Sequence, residues 1–118
     1  MSRKIGLLAE QHAHDYLMSQ GLRWVASNYS CRMGEIDLIM KDKACLVFIE
    51  VRKRSSKAFG GALASVTYFK KQKLMKAAML YLSVNQLHDQ QPIRFDVVSV
   101  EGSPPDVTWV KNAFGSDF

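Results

Sequence analysis

The chain has 118 residues, 47% hydrophobic and 23% charged, a size and balance that suit one globular domain over 1–118 and exclude any need for disulfides or a structural metal. Cys31 and Cys45 lack the CxxC spacing or histidine clustering of a structural zinc site, which suggests a reducing compartment, with Cys45 as a core thiol, and leaves any metal a catalytic role. The formal charge of +5 favours a polyanionic partner. Only Ile5 to Ala9 is apolar or small before Glu10 interrupts, too short for a signal peptide or a membrane span, so a cytoplasmic protein with no membrane partner is expected.

Ile5, Leu8, Ala9, Ala13, Tyr16 and Leu17 recur at helical spacing and Gly21 follows where a helix would stop, predicting an amphipathic helix over 4–19. His12 falls within its apolar face, where a core histidine is the ordinary reading. Glu10 lies at the edge of that face, in a stripe with Gly6, Ala13 and Leu17. Residues 23–29 read as a first strand through Trp24 and Val25, weakened by Asn28. Residues 34–40 alternate, with Ile36, Leu38 and Met40 on one face and Glu35, Asp37 and Ile39 on the other. Residues 45–51 are almost continuously apolar, the pattern of a central strand covered on both faces. Lys41 to Ala44 supplies a short turn, which makes the two strands an antiparallel hairpin.

Residues 53–65 hold Ser55-Ser56 and Gly60-Gly61 and read as a surface loop with room for a ligand. Thr67 can cap a long helix running to Val84, with a core stripe of Leu74, Ala77, Ala78, Tyr81 and Leu82. Residues 93–100 and 107–110 are further strands, separated by the turn Gly102 to Pro105. Trp24, Trp109, Arg94, Asp96 and Phe114 read as core or structural residues. The order α-β-β-β-α-β-β indicates an α/β domain with a mixed sheet and flanking helices.

Residues i and i+2 of a strand share a face, so Glu35 goes with Asp37 and Glu50 with Arg52. With a hairpin loop of two or four residues all four side chains are expected on one face. A two-residue loop would set Glu35 opposite Glu50 with Asp37 diagonal, and a four-residue loop would set Asp37 directly opposite Glu50. Neighbouring carboxylates repel one another unless a proton, a cation or water intervenes. One reading is a structural network in which Arg52 and Arg54 neutralise the acids; the other is a hard, oxygen-coordinated Mg²⁺ or Mn²⁺ site. Glu35 would then stand behind the metal ligands or pair with Arg54.

Between Val51 and His88 there is no Asp or Glu, while Arg52, Lys53, Arg54, Lys57, Lys70, Lys71, Lys73 and Lys76 all fall there. Four of these crowd the N-terminal half of the second helix, where the helix dipole disfavours cations. A phosphate backbone would relieve that strain, and solvated lysines are the alternative.

Gly34-Glu35-Ile36-Asp37-Leu38-Ile39 and Val47-Phe48-Ile49-Glu50-Val51-Arg52 resemble the two halves of a PD-(D/E)XK nuclease motif, an Asp followed after a hairpin by Glu-X-Lys. More closely, the chain resembles the YraN family of small bacterial proteins, related by fold to archaeal Holliday-junction resolvases. The likeness runs nearly end to end and includes Gly6, Glu10, Ser65-Val66-Thr67 with Lys70, Arg94 to Val98, and Asn112-Ala113-Phe114. It implies a restriction-endonuclease-like core and a metal-dependent endonuclease acting on nucleic acid, DNA ahead of RNA, including branched or recombination-intermediate DNA.

By resemblance Asp37 and Glu50 would coordinate Mg²⁺ or Mn²⁺, with Glu10 assisting. Arg52 departs from the motif's lysine; it can stabilise charge on phosphate but stays protonated above about pH 12 and cannot take a proton from water. Lys70 could supply an amine in its place, or could be a snorkelling surface lysine. Arg52, Lys53, Arg54, Lys57, Lys70, Lys71 and Lys73 would contact nucleic acid. The competing reading is a non-catalytic nucleic-acid-binding accessory protein with an altered nuclease site, and a homodimer is open under either.

Overall fold

Cys45 to Ile49 is apolar at every position, and a strand of that kind needs cover on both faces. It runs through the middle of the molecule. The computed structural model describes residues 3–54 and 66–115. Within them the chain forms α1 (Arg3–Ser19), β1 (Arg23–Cys31), β2 (Gly34–Asp42), β3 (Cys45–Arg54), α2 (Tyr68–Val84), β4 (Ile93–Glu101) and β5 (Asp106–Phe114). This is the expected order, with longer strands than the sequence pattern suggested. Lys53 and Arg54 belong to β3 rather than to a loop, and the rest of the expected loop, Lys57 included, lies outside the described residues.

The five strands lie in the sheet in chain order, β1-β2-β3-β4-β5. Neighbours pair antiparallel except β3 and β4, which are parallel and are connected through α2. Each antiparallel seam needs only a short turn, whereas the parallel seam requires a crossover, and α2 supplies it. Thr67 caps α2, its hydroxyl accepting the Lys70 backbone N–H at 3.2 Å.

Each face of the sheet carries its own core. On one side α1 packs Ala9, Ala13 and Leu17 onto Leu38, Met40, Val47, Ile49, Val98 and Val100. On the other, α2 packs Leu74, Ala77, Ala78 and Leu82 onto Ile39, Leu46, Phe48, Phe95 and Val97. The Phe48 ring stacks on Phe95 at 5.7 Å and meets Tyr81 edge-on at 5.9 Å. Burying one such ring contributes about 1.5–3 kcal/mol. Leu8 and Trp24 differ from expectation: Leu8 is 57% and Trp24 52% exposed, because α1 touches the sheet along the narrower Ala9–Ala13–Leu17 stripe and β1 is an edge strand. Cys31 and Cys45 are free, partly buried thiols, and burial pushes that of Cys45 up. No helix among the described residues is long and apolar enough to cross a membrane.

The hairpin joining β2 and β3 turns at Lys43-Ala44, with Lys43 at φ 56 and Asp42 paired with Cys45. This two-residue loop sits one position further along than the expected centre, so its register runs toward Asp37 opposite Glu50, not Glu35 opposite Glu50. The ladder closes at Leu38↔Ile49, just short of the two acids. There the alternation of β2 also breaks: Ile36 packs in the α2-side core and Leu38 in the α1-side core, two residues that a regular strand would put on one face. Across from Asp37, between the Ser27↔Leu38 and Tyr29↔Ile36 pairs, Asn28 takes φ 52. Asparagine is among the few residues that enter this region readily.

Candidate functional site

The break in β2 decides where each acid stands. Glu50 follows Leu46 and Phe48 in the alternation of β3 and therefore belongs to the α2 side, while Glu10 comes from α1 on the opposite side. Asp37 lies between them. The expectation that Glu35, Asp37, Glu50 and Arg52 share one face is thus corrected: the acids meet where the two faces join, because β2 is irregular at Asp37.

Asp37 Oδ2 accepts the Val51 N–H at 2.8 Å, so a carboxylate takes up a backbone donor just past the end of the β2–β3 ladder. Burial pushes the Asp37 carboxyl up to about 8, and the neighbouring Glu50 and Glu10 charges push the same way. A buried carboxyl in that position holds a proton near neutrality. Glu10, Glu35 and Asp37 each bring a carboxylate oxygen within 4.8 Å of the others, close enough to hold one ion together. β1 secures two of them. Asn28 Nδ2 donates to Glu10 Oε1 at 2.8 Å and Ser30 Oγ donates to Glu35 Oε2 at 3.0 Å.

Glu50 is 3% exposed. Its Oε2 receives Arg52 Nη1 at 3.1 Å and faces Lys70 Nζ at 3.6 Å. Its Oε1 is buried and has no hydrogen-bond partner among the described residues. A buried carboxylate oxygen left without a partner costs about 1–3 kcal/mol or more, so it is a natural place for an added ligand. The donors gathered here are all carboxylate oxygens, which suit Mg²⁺ or Mn²⁺ better than softer metals.

A family model described as "Uncharacterised protein family UPF0102" matches residues 9–100. The chain belongs to this family. It is 54% identical over 114 residues to a UPF0102 protein of Legionella pneumophila strain Corby, covering 97% of each chain. It is 50% identical over 119 residues to a UPF0102 protein of Enterobacter sp. strain 638, covering 99% of this chain and 89% of the relative. To a UPF0102 protein of Stutzerimonas stutzeri strain A1501 it is 46% identical over 117 residues, with 98% of each chain covered. The family match begins at Ala9, so all four acids, Arg52 and Lys70 fall inside it.

Of the residues singled out from the sequence, the fold brings together Glu10, Asp37, Glu50, Arg52 and Lys70. Lys53, Lys71 and Lys73 lie on β3 and α2, Lys53 and Lys73 being exposed and Lys71 approaching the Phe114 ring at 5.9 Å. Sequence reasoning left Glu35 without a settled part. The fold places it in the acid cluster with Glu10 and Asp37. The positioning residues Asn28 and Ser30 were missed, because nothing local in β1 announces that it faces the acids.

Arg94 and Asp96 form a separate, structural network as expected. Asp96 is fully buried and accepts from Arg94 Nε at 3.0 Å, Trp109 Nε1 at 2.9 Å and the Asn112 N–H at 2.9 Å. Arg94 also reaches Asp42 at 2.9 Å, tying β4 to the β2–β3 hairpin. Every oxygen of Asp96 has a partner, in contrast to Glu50.

Proposed function

We propose that the protein is a metal-dependent phosphodiesterase acting on nucleic acid. The observation that carries this reading is Glu50: a nearly fully buried carboxylate with one oxygen held by Arg52 and Lys70 and the other without a partner among the described residues, beside an Asp37 carboxyl that burial raises to about 8. Asp37 and Glu50, with Glu10 and Glu35 on the α1 side, would hold Mg²⁺ or Mn²⁺. When bound, the ion would lower the pKa of coordinated water and offset charge on a phosphate.

The chain's own groups have complementary parts. Arg52 stands where it can hold a phosphate oxygen and stabilise the charge that builds on it, but it cannot exchange a proton. Lys70 Nζ lies 3.6 Å from the same Glu50 oxygen and would serve as the acid toward the leaving oxygen. The lysines beyond it on α2 offer contacts to further phosphates. The resemblance to PD-(D/E)XK nucleases supports the same chemistry.

One observation favours a second reading. Arg52 and Lys70 already neutralise Glu50, so the site could be closed by internal ion pairs in a protein that binds nucleic acid without cutting it. Labelled duplex, single-stranded, flap and four-way-junction DNAs incubated with Mn²⁺ separate the two. A nuclease yields metal-dependent product that disappears in Glu50→Gln. Tight binding with no product from any substrate supports the accessory protein, and product that survives Glu50→Gln rejects the proposed site.

A further inference from the structure

Phe69 is 76% and Tyr68 58% exposed, and the two rings meet edge-on at 5.9 Å at the first positions of α2. Aromatic rings of this size ordinarily gain about 1.5–3 kcal/mol by burial, so two of them side by side at the surface form an apolar patch, with Phe69 its more open member. The same stretch of helix carries Lys70, Lys71 and Lys73, and its first turn holds no acidic residue. The positive end of the helix dipole and three cations therefore coincide with the rings.

An unpaired nucleotide complements this combination on both counts, since its base presents a π-face to an aromatic ring and its phosphate meets the lysines. Bases inside a continuous duplex are already stacked on both faces and have none to give. The residue after Phe69 is Lys70, whose amine reaches Glu50 at 3.6 Å. The rings and the amine that reaches Glu50 thus share the first turn of α2.

We infer that Tyr68 and Phe69 form a stacking platform for unpaired bases, and that the substrates are nucleic acids with unpaired nucleotides beside the reactive phosphate, such as single strands, flaps and branch points. This rests on the nucleic-acid reading above and adds a strand preference that the metal site alone would not create.

The test is fluorescence anisotropy in EDTA, so that binding is measured without cleavage, on a labelled oligothymidylate, the same strand annealed to its complement, and an abasic strand of equal length. Wild type is expected to favour the single strand over both others. Phe69→Ala should weaken single-strand binding about 5- to 100-fold and leave duplex binding unchanged, with Phe69→Trp restoring it. Phe69 is so exposed that neither change threatens the fold. Equal losses on single strand and duplex, or an abasic strand bound as well as oligothymidylate, overturn the platform. So does a Phe69→Ala variant that alters only the sedimentation of the protein, which would mark the patch as a contact with a second copy. If Lys71→Ala/Lys73→Ala weakens all three complexes and wild type shows no strand preference, the platform fails while the nucleic-acid reading stands. Absence of salt-dependent binding to any of the DNAs removes both.

Discussion

Lys70 Nζ stands 3.6 Å from Glu50 Oε2, linking the first turn of α2 to the central strand, and Arg52 Nη1 approaches the same oxygen at 3.1 Å. Two cations share one carboxylate oxygen, and in the proposed mechanism Lys70 is the one that transfers a proton. Replacing Lys70 with Met is therefore expected to lower Mn²⁺-dependent cleavage by about 10²–10⁴-fold, the usual range for loss of a general acid or base. Arg52→Lys should retain or raise the rate. Single-turnover rates on a labelled flap substrate provide the comparison. Losses of equal size in Lys70→Met and Arg52→Lys would show that the site needs fixed charge and not proton transfer.

Asp37 controls a stability slope with pH. Its carboxyl is raised by burial to about 8 in the folded chain, against about 3.9 when unfolded. Between those values the folded chain keeps a proton that the unfolded chain releases. The associated stability is fully present below about pH 4 and is lost as pH rises through 8. Asp37→Asn removes the slope and keeps an oxygen to accept the Val51 N–H. Urea unfolding without metal should find the variant more stable than wild type at pH 8 by roughly 1–4 kcal/mol, with the gap narrowing toward pH 4. Parallel stability curves at the two pH values would contradict the assignment.

In the proposed metal site the same proton would compete with a divalent ion. Calorimetry should find Mn²⁺ affinity rising between pH 6 and 8 with proton release on binding. Asp37→Ala should abolish binding, Glu50→Gln should weaken it, and Glu35→Gln should weaken it about 10–100-fold if the acid cluster holds the ion together. Unchanged affinity in Asp37→Ala would remove the metal site altogether.

The lysines on α2 should appear as a salt dependence. A plot of log affinity against log salt for duplex DNA is expected to fall steeply, and Lys70→Ala/Lys71→Ala/Lys73→Ala should reduce the slope by about 2–3, close to one unit for each phosphate contact removed. A slope near zero in wild type would leave these lysines as solvated surface.

Removing Asp96 tests the fold rather than the site. Asp96→Ala leaves Arg94, Trp109 Nε1 and the Asn112 N–H without their common acceptor. A loss of about 3–5 kcal/mol is expected on urea unfolding, the range for breaking a buried pair by deleting one partner. A change below about 1 kcal/mol would mean that Asp42 suffices to hold Arg94.

The elements were legible because their signals are local. Thr67 marks the start of α2 and Gly21 follows α1, and the apolar run from Cys45 identifies the central strand. Lys70 was also legible, as the continuation of the Leu74–Ala77–Tyr81 stripe. What escaped was set by contacts distant in sequence. The turn at Lys43-Ala44 requires Lys43 at positive φ, which no glycine or asparagine announced, so the sequence left two registers open, and the structure has the one that runs toward Asp37 opposite Glu50. The switch of faces at Asp37 accompanies a left-handed Asn28 on another strand, and no pattern within β2 can reveal it. Strand order depends on the parallel pairing of β3 with β4 and was out of reach for the same reason.

Because the strands lie in chain order, the single parallel seam divides the polypeptide into two continuous halves, one ending with β3 and the other beginning with α2. Every carboxylate of the site belongs to the first half and the Lys70 amine to the second. A gene split between codons 54 and 66 would therefore encode two fragments of which neither alone carries all the residues of the proposed site. Under the proposed function, cleavage regained on mixing would count how often the halves meet, which makes the β3–β4 seam a natural place to build a two-part sensor.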